Sequence, residues 1–438
     1  MSWPRLRSMA RTLALGLAVL VMLGLAASLA LRLYGRQRLA AARAAFEGQG
    51  FSLALDSYEL PAVPRQENAA AWLEAGVAAI VWSADDPGFA LGPPGASVGD
   101  WDATRLRKLR ELLAANHGAL EALHRADSLP RASFDIPYRE GATARLPDLL
   151  GLRRASSLLL LQGRLGLHDR NGEELLASLR GLTRLSEALT GESTLVTLLV
   201  ADAVEGDGLL LATEVVSAPS PGLADSGRLE VVKAALPTTN RLAQLRRALA
   251  YEGAVIDTWL GQGASFRDPS DDTNAHRERS LVKVTGLETL ARAAVLEAAL
   301  QHATFLDAPF PVLMAGSPRP SPLFVHRLVA ETLTPSAIRA VLSIRLTMAQ
   351  RQLVRAALNL RAEGVAAGAY PAGRPAEAGL DEANPLTALP LQYSVAADGS
   401  ARLEIPGVAS EHLKVMRRNP ILGLGLSLPA LGAPQPGP

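Results

Sequence analysis

The chain contains no cysteine, which excludes disulfides, thiolate metal sites and a cysteine nucleophile. That absence fits an oxidising envelope compartment. Lysine is almost missing as well: Lys108, Lys233, Lys283 and Lys414 are the only four, so arginine carries nearly all the positive charge. A Ser-Lys dyad or a phosphate-binding lysine therefore has few places to sit. Aromatic residues make up only 4%. Net charge is +1, with acids and bases interleaved along the chain. Nothing in this pattern resembles a phosphate-binding surface, and no nucleic-acid partner is expected. No Walker A loop, H-E-x-x-H pair or dinucleotide fingerprint occurs, so no cofactor is expected either.

What is present is apolar and helix-forming. Hydrophobic residues account for 48% of 438 residues, dominated by Leu, Ala and Val. Unbranched Leu and Ala lose little side-chain freedom in a helix, which favours a mainly α fold. The length allows one large core or several domains.

The longest apolar run is Thr12–Leu31, without a single charge, between Arg5, Arg7 and Arg11 on one side and Arg32, Arg36, Arg38 and Arg43 on the other. It is long enough to cross a bilayer as a helix, which makes the lipid bilayer its expected partner. A cleaved signal peptide is the alternative, with Ser28-Leu29-Ala30 as a small-x-small site, but its apolar region is usually shorter. The flanking arginines do not favour an N-terminus-in topology. The short tail before a single apolar helix does, and it leads to a single-pass bacterial inner-membrane protein with a periplasmic body.

Hydrophobic spacing divides the rest. Residues 1–11 read as a cytoplasmic tail, 12–31 as the anchor and 32–50 as a helical stalk ending at Gly48 and Gly50. Residues 51–306 form a helical body. Within it, Phe51–Asp56 alternates weakly like a strand, and helices are expected over 66–82, 104–116, 118–127, 147–167, 173–190, 193–217, 225–236, 240–262 and 281–305. Short turns between the helices of 147–217 imply an antiparallel layered array. Leu158–Leu161 leaves no polar face and should be buried on several sides. Residues 307–323, with five prolines, read as an extended connector. Residues 324–368 hold long helices, with Ile338, Leu342, Leu346, Ala349, Leu353, Ala356 and Leu360 as a stripe and the arginines largely off it. A β-hairpin is expected around Ala397-Asp398-Gly399-Ser400 within 369–410, and residues 411–438 form a tail that ends disordered.

The C-terminal order resembles known proteins. A long helix, then Gly368-Ala369-Tyr370-Pro371, a loop, and a hairpin carrying Gln392-Tyr393 looks like the end of uncharacterised planctomycete and myxobacterial membrane-anchored helical envelope proteins. The GxYP-hairpin ending is also seen in pilins and pseudopilins. Glu67–Ala70 and Leu165–Leu189 are similar to further stretches of the same proteins. The resemblance implies fold and location and brings no established activity. A Gly-Phe-type processing site is absent before Thr12, so the chain is not read as a pilin.

Three groups could carry chemistry. His168-Asp169 with Glu173 and Glu174 resembles an acid–base or metal cluster, although turn polarity and acids at a helix N-terminus explain the same residues. Asp202, Glu205 and Asp207 put paired carboxylates within reach, since i,i+3 spacing places Asp202 and Glu205 on one face. A solvated face, or pairing with Arg180 or Arg184, is the simpler reading. Asp271, Asp272, His276 and Glu278 form a polar loop whose spacing matches neither an EF-hand nor a zinc motif. The expectation is a helical scaffold or interaction protein of the envelope, with a protein partner and no catalytic residue. An accessory role in secretion or a type IV pilus-like system, and a hydrolase with an unrecognised site, are the alternatives.

Overall fold

The computed structural model describes residues 3–82, 101–218, 226–262, 287–315, 324–408 and 425–431, with the side chains of 3–12, 226, 314–315, 324–336 and 376 left aside. The fold is mainly α. Helix α1 (Trp3–Gly48) contains the apolar run and is long and apolar enough to cross a membrane. The body comprises α2 (Ala69–Ala78), α3 (Ala103–Ala115), α4 (His117–Asp127), α5 (Leu149–His168), α6 (Gly172–Thr190), α7 (Leu195–Ser217), α8 (Ser226–Ala235), α9 (Arg241–Gly261) and α10 (Leu287–Phe305). Then follow α11 (Phe310–Ala315), α12 (Phe324–Ala367) and strands β1 (Gln392–Val395), β2 (Ala401–Glu404) and β3 (Gly425–Leu428).

Local chemistry sets half of the helix starts. Asn68, Asp102, Asp148, Asn171, Thr194 and Asn240 each accept a backbone N–H from the first turn of the following helix. Such a cap satisfies a donor that the helix itself leaves orphaned. Helices α5, α6 and α7 then stack through short turns into a layered array around one core. Leu158, Leu159, Leu160 and Leu161 are all buried. The α5–α7 contact is close because residue 163 is glycine: a Cβ there would lie 2.3 Å from Leu211 Cδ2.

Helix α12 lies across the array, touching α7, α8, α9 and α10. Its stripe is buried except for half-buried Leu346. Beyond it, β1, β2 and β3 form an antiparallel sheet in that order, with Gly399 at φ 81° in the β1–β2 turn. The sheet's buried face, Ala401, Leu403, Leu426 and Leu428, joins the main core. Tyr370 of the GAYP segment fastens this end. Its hydroxyl accepts from Arg361 Nη1 at 3.0 Å and donates to the Pro429 carbonyl at 3.2 Å.

Several expectations need correction. Residues 51–56 form no strand; a 3-10 turn spans Leu55–Tyr58, where Tyr58 donates to the Ser52 carbonyl and folds the segment back. The helix expected over 66–82 is shorter, because a 3-10 turn at Arg65–Glu67 delays its start to Ala69. The connector 307–323 contains α11, which buries Phe310 and Leu313. Residues 324–367 are one helix rather than several, running through Pro335. The tail contributes β3, so the hairpin is part of a three-stranded sheet.

The stalk also differs. From residue 35 onward α1 docks on the body, burying Gly35, Leu39, Ala42 and Phe46 at spacings of four, three and four. Arg38 clamps Glu297 with Nε and Nη2, both at 2.8 Å, and Arg43 Nη2 meets Asp257 Oδ2 at 2.9 Å. The expected polar loop 263–279 and the tail end 433–438 lie outside the described residues.

Candidate functional site

Helix α7 is apolar on every side, so its acids have no surface to reach. Asp202 and Glu205 are buried, Glu205 at 2% exposure. The solvated-face reading is therefore wrong, and the pairing is not to Arg180 or Arg184. Arg180 pairs with Asp127 and Arg184 approaches Glu187. The partners of the α7 acids come from distant helices. Arg351 on α12 donates from Nε to Glu205 Oε1 at 2.5 Å, and Arg241 at the start of α9 places Nη2 2.6 Å from Glu205 Oε2. Asp202 Oδ2 accepts from Ser343 Oγ at 2.6 Å, while its Oδ1 sits 3.8 Å from Arg241 Nη1.

Burial pushes the Asp202 carboxyl above its usual range, and burial likewise lowers the Arg241 guanidinium. The arrangement is two carboxylates interleaved with two guanidiniums. Such a group is held by mutual compensation, because each isolated charge would be costly to bury. Asp207 takes no part in it. Five residues beyond Asp202, it turns towards α5 and accepts from Arg153 Nη1 at 2.7 Å and Ser156 Oγ at 2.5 Å.

The other sequence candidates are brought together only in part. His168 Nδ1 lies 2.8 Å from Asp169 Oδ1, and Arg110 Nη2 donates to the same carboxylate at 2.8 and 3.0 Å. Slight burial opposes it, but the bonds from His168 and Arg110 hold Asp169 below the usual carboxylate range. Glu173 is exposed at the start of α6 and caps nothing. Among the described residues no three His, Asp or Glu side chains converge as metal ligands. Asp271, Asp272, His276 and Glu278 lie outside those residues.

Two titratable residues that the sequence reading passed over share an apolar cavity of about 250 Å³ between α7, α9 and α10. Leu195, Leu249, Ile256 and Val295 line it, together with Glu252 and His302. Burial pushes Glu252 up, although its Oε1 accepts the Leu195 N–H at 3.2 Å, and it lowers His302 to about 4. Both residues sit among Ala and Leu on helical faces that otherwise carry no charge. An isolated polar residue on such a face was the available signal.

Another buried carboxylate, Glu192, is wholly engaged. It accepts from the Tyr138 hydroxyl at 2.5 Å and the Phe134 N–H at 2.9 Å, locking the irregular 128–146 segment to the α6–α7 turn. Burial beside this carboxylate lifts Tyr138 above the ordinary phenol range.

Comparison with protein-family models, curated proteins and solved structures finds no match to the chain.

Proposed function

We propose that this chain is a membrane-tethered helical scaffold of the bacterial envelope, its body on the periplasmic face and presented to a protein partner. The carrying observation is the division of α1. Its large apolar side chains from Leu13 to Leu29 are exposed, whereas Gly35, Leu39, Ala42 and Phe46 are buried in the body. An apolar surface of that extent calls for a lipid or protein environment. Gly35 lies only four positions beyond Leu31, about 6 Å along a helix. The body is thus seated at the bilayer surface on a rigid post, with the Arg38–Glu297 clamp fixing its rotation about the helix axis. The internally compensated charges on α7 favour a structural reading over a catalytic one.

The test is protease accessibility of a C-terminal tag in intact spheroplasts, followed by affinity capture from solubilised membranes. The expected result is loss of the tag to external protease and recovery of a defined partner. A protected tag overturns the orientation. Capture of the chain alone, at stoichiometric yield, overturns the scaffold reading.

A further inference from the structure

The cavity beside α7, α9 and α10 is a gap left by short side chains. Gly253, Ala299 and Ala337 border it from α9, α10 and α12, and residues that small leave about 250 Å³ unfilled. Leu199 and Ile256 stand half-buried along its sides, and Val196 at its mouth is 41% exposed. The space is therefore reachable from solvent.

One acceptor is set into this apolar wall. Glu252 Oε1 accepts the Leu195 N–H at 3.2 Å, a donor that the first turn of α7 leaves orphaned. Among the described residues Glu252 Oε2 takes no hydrogen bond, and no cation pairs with either oxygen. Glu252 is half-buried, and Oε2 keeps accessible surface instead of being sealed in the core. The other titratable residue in the lining, His302, is held neutral by burial, so it supplies no charge to Glu252. Apolar walls with one placed polar group are the usual make-up of a small-molecule site, the walls giving affinity and the polar group orientation. An apolar cavity of about 150 Å³ already takes up benzene. The larger space here has room for a bicyclic ring, and its single open acceptor calls for a donor on that ring.

We propose that this cavity binds a small aromatic molecule bearing one N–H or hydroxyl donor, its ring among Leu199, Ile256 and Ala299 and its donor on Glu252 Oε2. The proposal stands independently of the scaffold reading, which rests on α1.

Isothermal titration of the purified full chain in neutral detergent, with empty micelles as the blank, tests it with indole and benzofuran as separate probes. The two rings are alike in size, but only indole carries an N–H. Indole should bind saturably, and benzofuran about tenfold more weakly for want of one hydrogen bond. Glu252→Gln keeps an acceptor for the Leu195 N–H and turns its NH2 group to the cavity, so indole should lose its advantage. Leu199→Phe narrows the space and should weaken both probes about tenfold or more. No saturable heat from indole overturns the proposal. So does benzofuran binding as tightly as indole, an advantage for indole that survives Glu252→Gln, or unchanged indole affinity in Leu199→Phe. Should Leu199→Phe fail to fold, Val196→Trp at the mouth is read in its place: weakened binding supports the site, and unchanged affinity overturns it.

Discussion

Two regions of this molecule invert the usual arrangement of a folded chain. Residues 13–31 are apolar and exposed, and the group around Asp202, Glu205, Arg241 and Arg351 is charged and buried. Each is unfavourable in water unless something compensates it. For the first, the helix is long and apolar enough to cross a membrane, and the compensation proposed for it lies outside the chain, in a bilayer. For the second it lies inside, in charges delivered by three separate helices. The exposed segment therefore specifies surroundings, and the buried group specifies which helices meet and in what register.

Breaking the first half of this contrast should have the larger effect. Leu20 and Leu23 stand near the middle of the apolar run, 67% and 61% exposed. Leu20→Arg with Leu23→Arg puts two charges at the bilayer centre, each costing about 2.5–3.5 kcal/mol on insertion scales. The double variant should move from the alkali-resistant membrane pellet to the supernatant. Its circular dichroism melt should match the parent, because this stretch makes no contact with the body's core. Full retention in the pellet after alkaline extraction would sink the anchor assignment.

Breaking the second half should unfold rather than release. Glu205→Ala removes the acid between Arg241 and Arg351 and leaves two buried guanidiniums facing each other. Loss of one member of a buried ion group costs about 3–5 kcal/mol. The urea midpoint should fall accordingly, while Glu205→Gln, which keeps an acceptor for Arg351 Nε, should fall less. A change below about 1 kcal/mol in the alanine variant would mean that water, rather than Glu205, solvates these arginines.

The same contrast explains what was legible in the sequence. Helix starts were readable because caps such as Asn171 and Asn240 act within two or three residues. The apolar run was readable because its exposure needs no partner. Strand β3 was not, since Gly425–Leu428 acquires meaning only by pairing with β2 about twenty residues earlier. Docking of α1 was hidden for the same reason: Arg38 and Arg43 find their acids at Glu297 and Asp257. The burial of Asp202 and Glu205 was partly readable. Helix α7 has hydrophobic residues around its whole circumference, and acids in such a helix must be buried and paired. What no local pattern contains is which arginines, from α9 and α12, complete the pairs.

A smaller effect sharpens the comparison from a third side. His302 is buried like the α7 acids, and burial favours its uncharged form. Burial lowers its pKa to about 4, against an ordinary value of 6.5. Between those values the unfolded chain binds a proton that the folded chain does not, so stability rises with pH across the window. The contribution is complete above pH 6.5 and is lost as the pH falls towards 4. From pH 7 to pH 4.5 this single group should remove about 2–3 kcal/mol of stability. His302→Leu should abolish that part of the acid-side decline while leaving the contributions of Asp202 and Glu252 in place. Those two carboxyls, raised by burial, act with the opposite sign, since each takes up its proton at a higher pH in the folded chain than in the unfolded one. Urea midpoints of the parent and His302→Leu at pH 7, 5.5 and 4.5 separate the terms. Parallel pH profiles would mean that His302 is solvated in the folded chain and that the cavity beside Glu252 holds water.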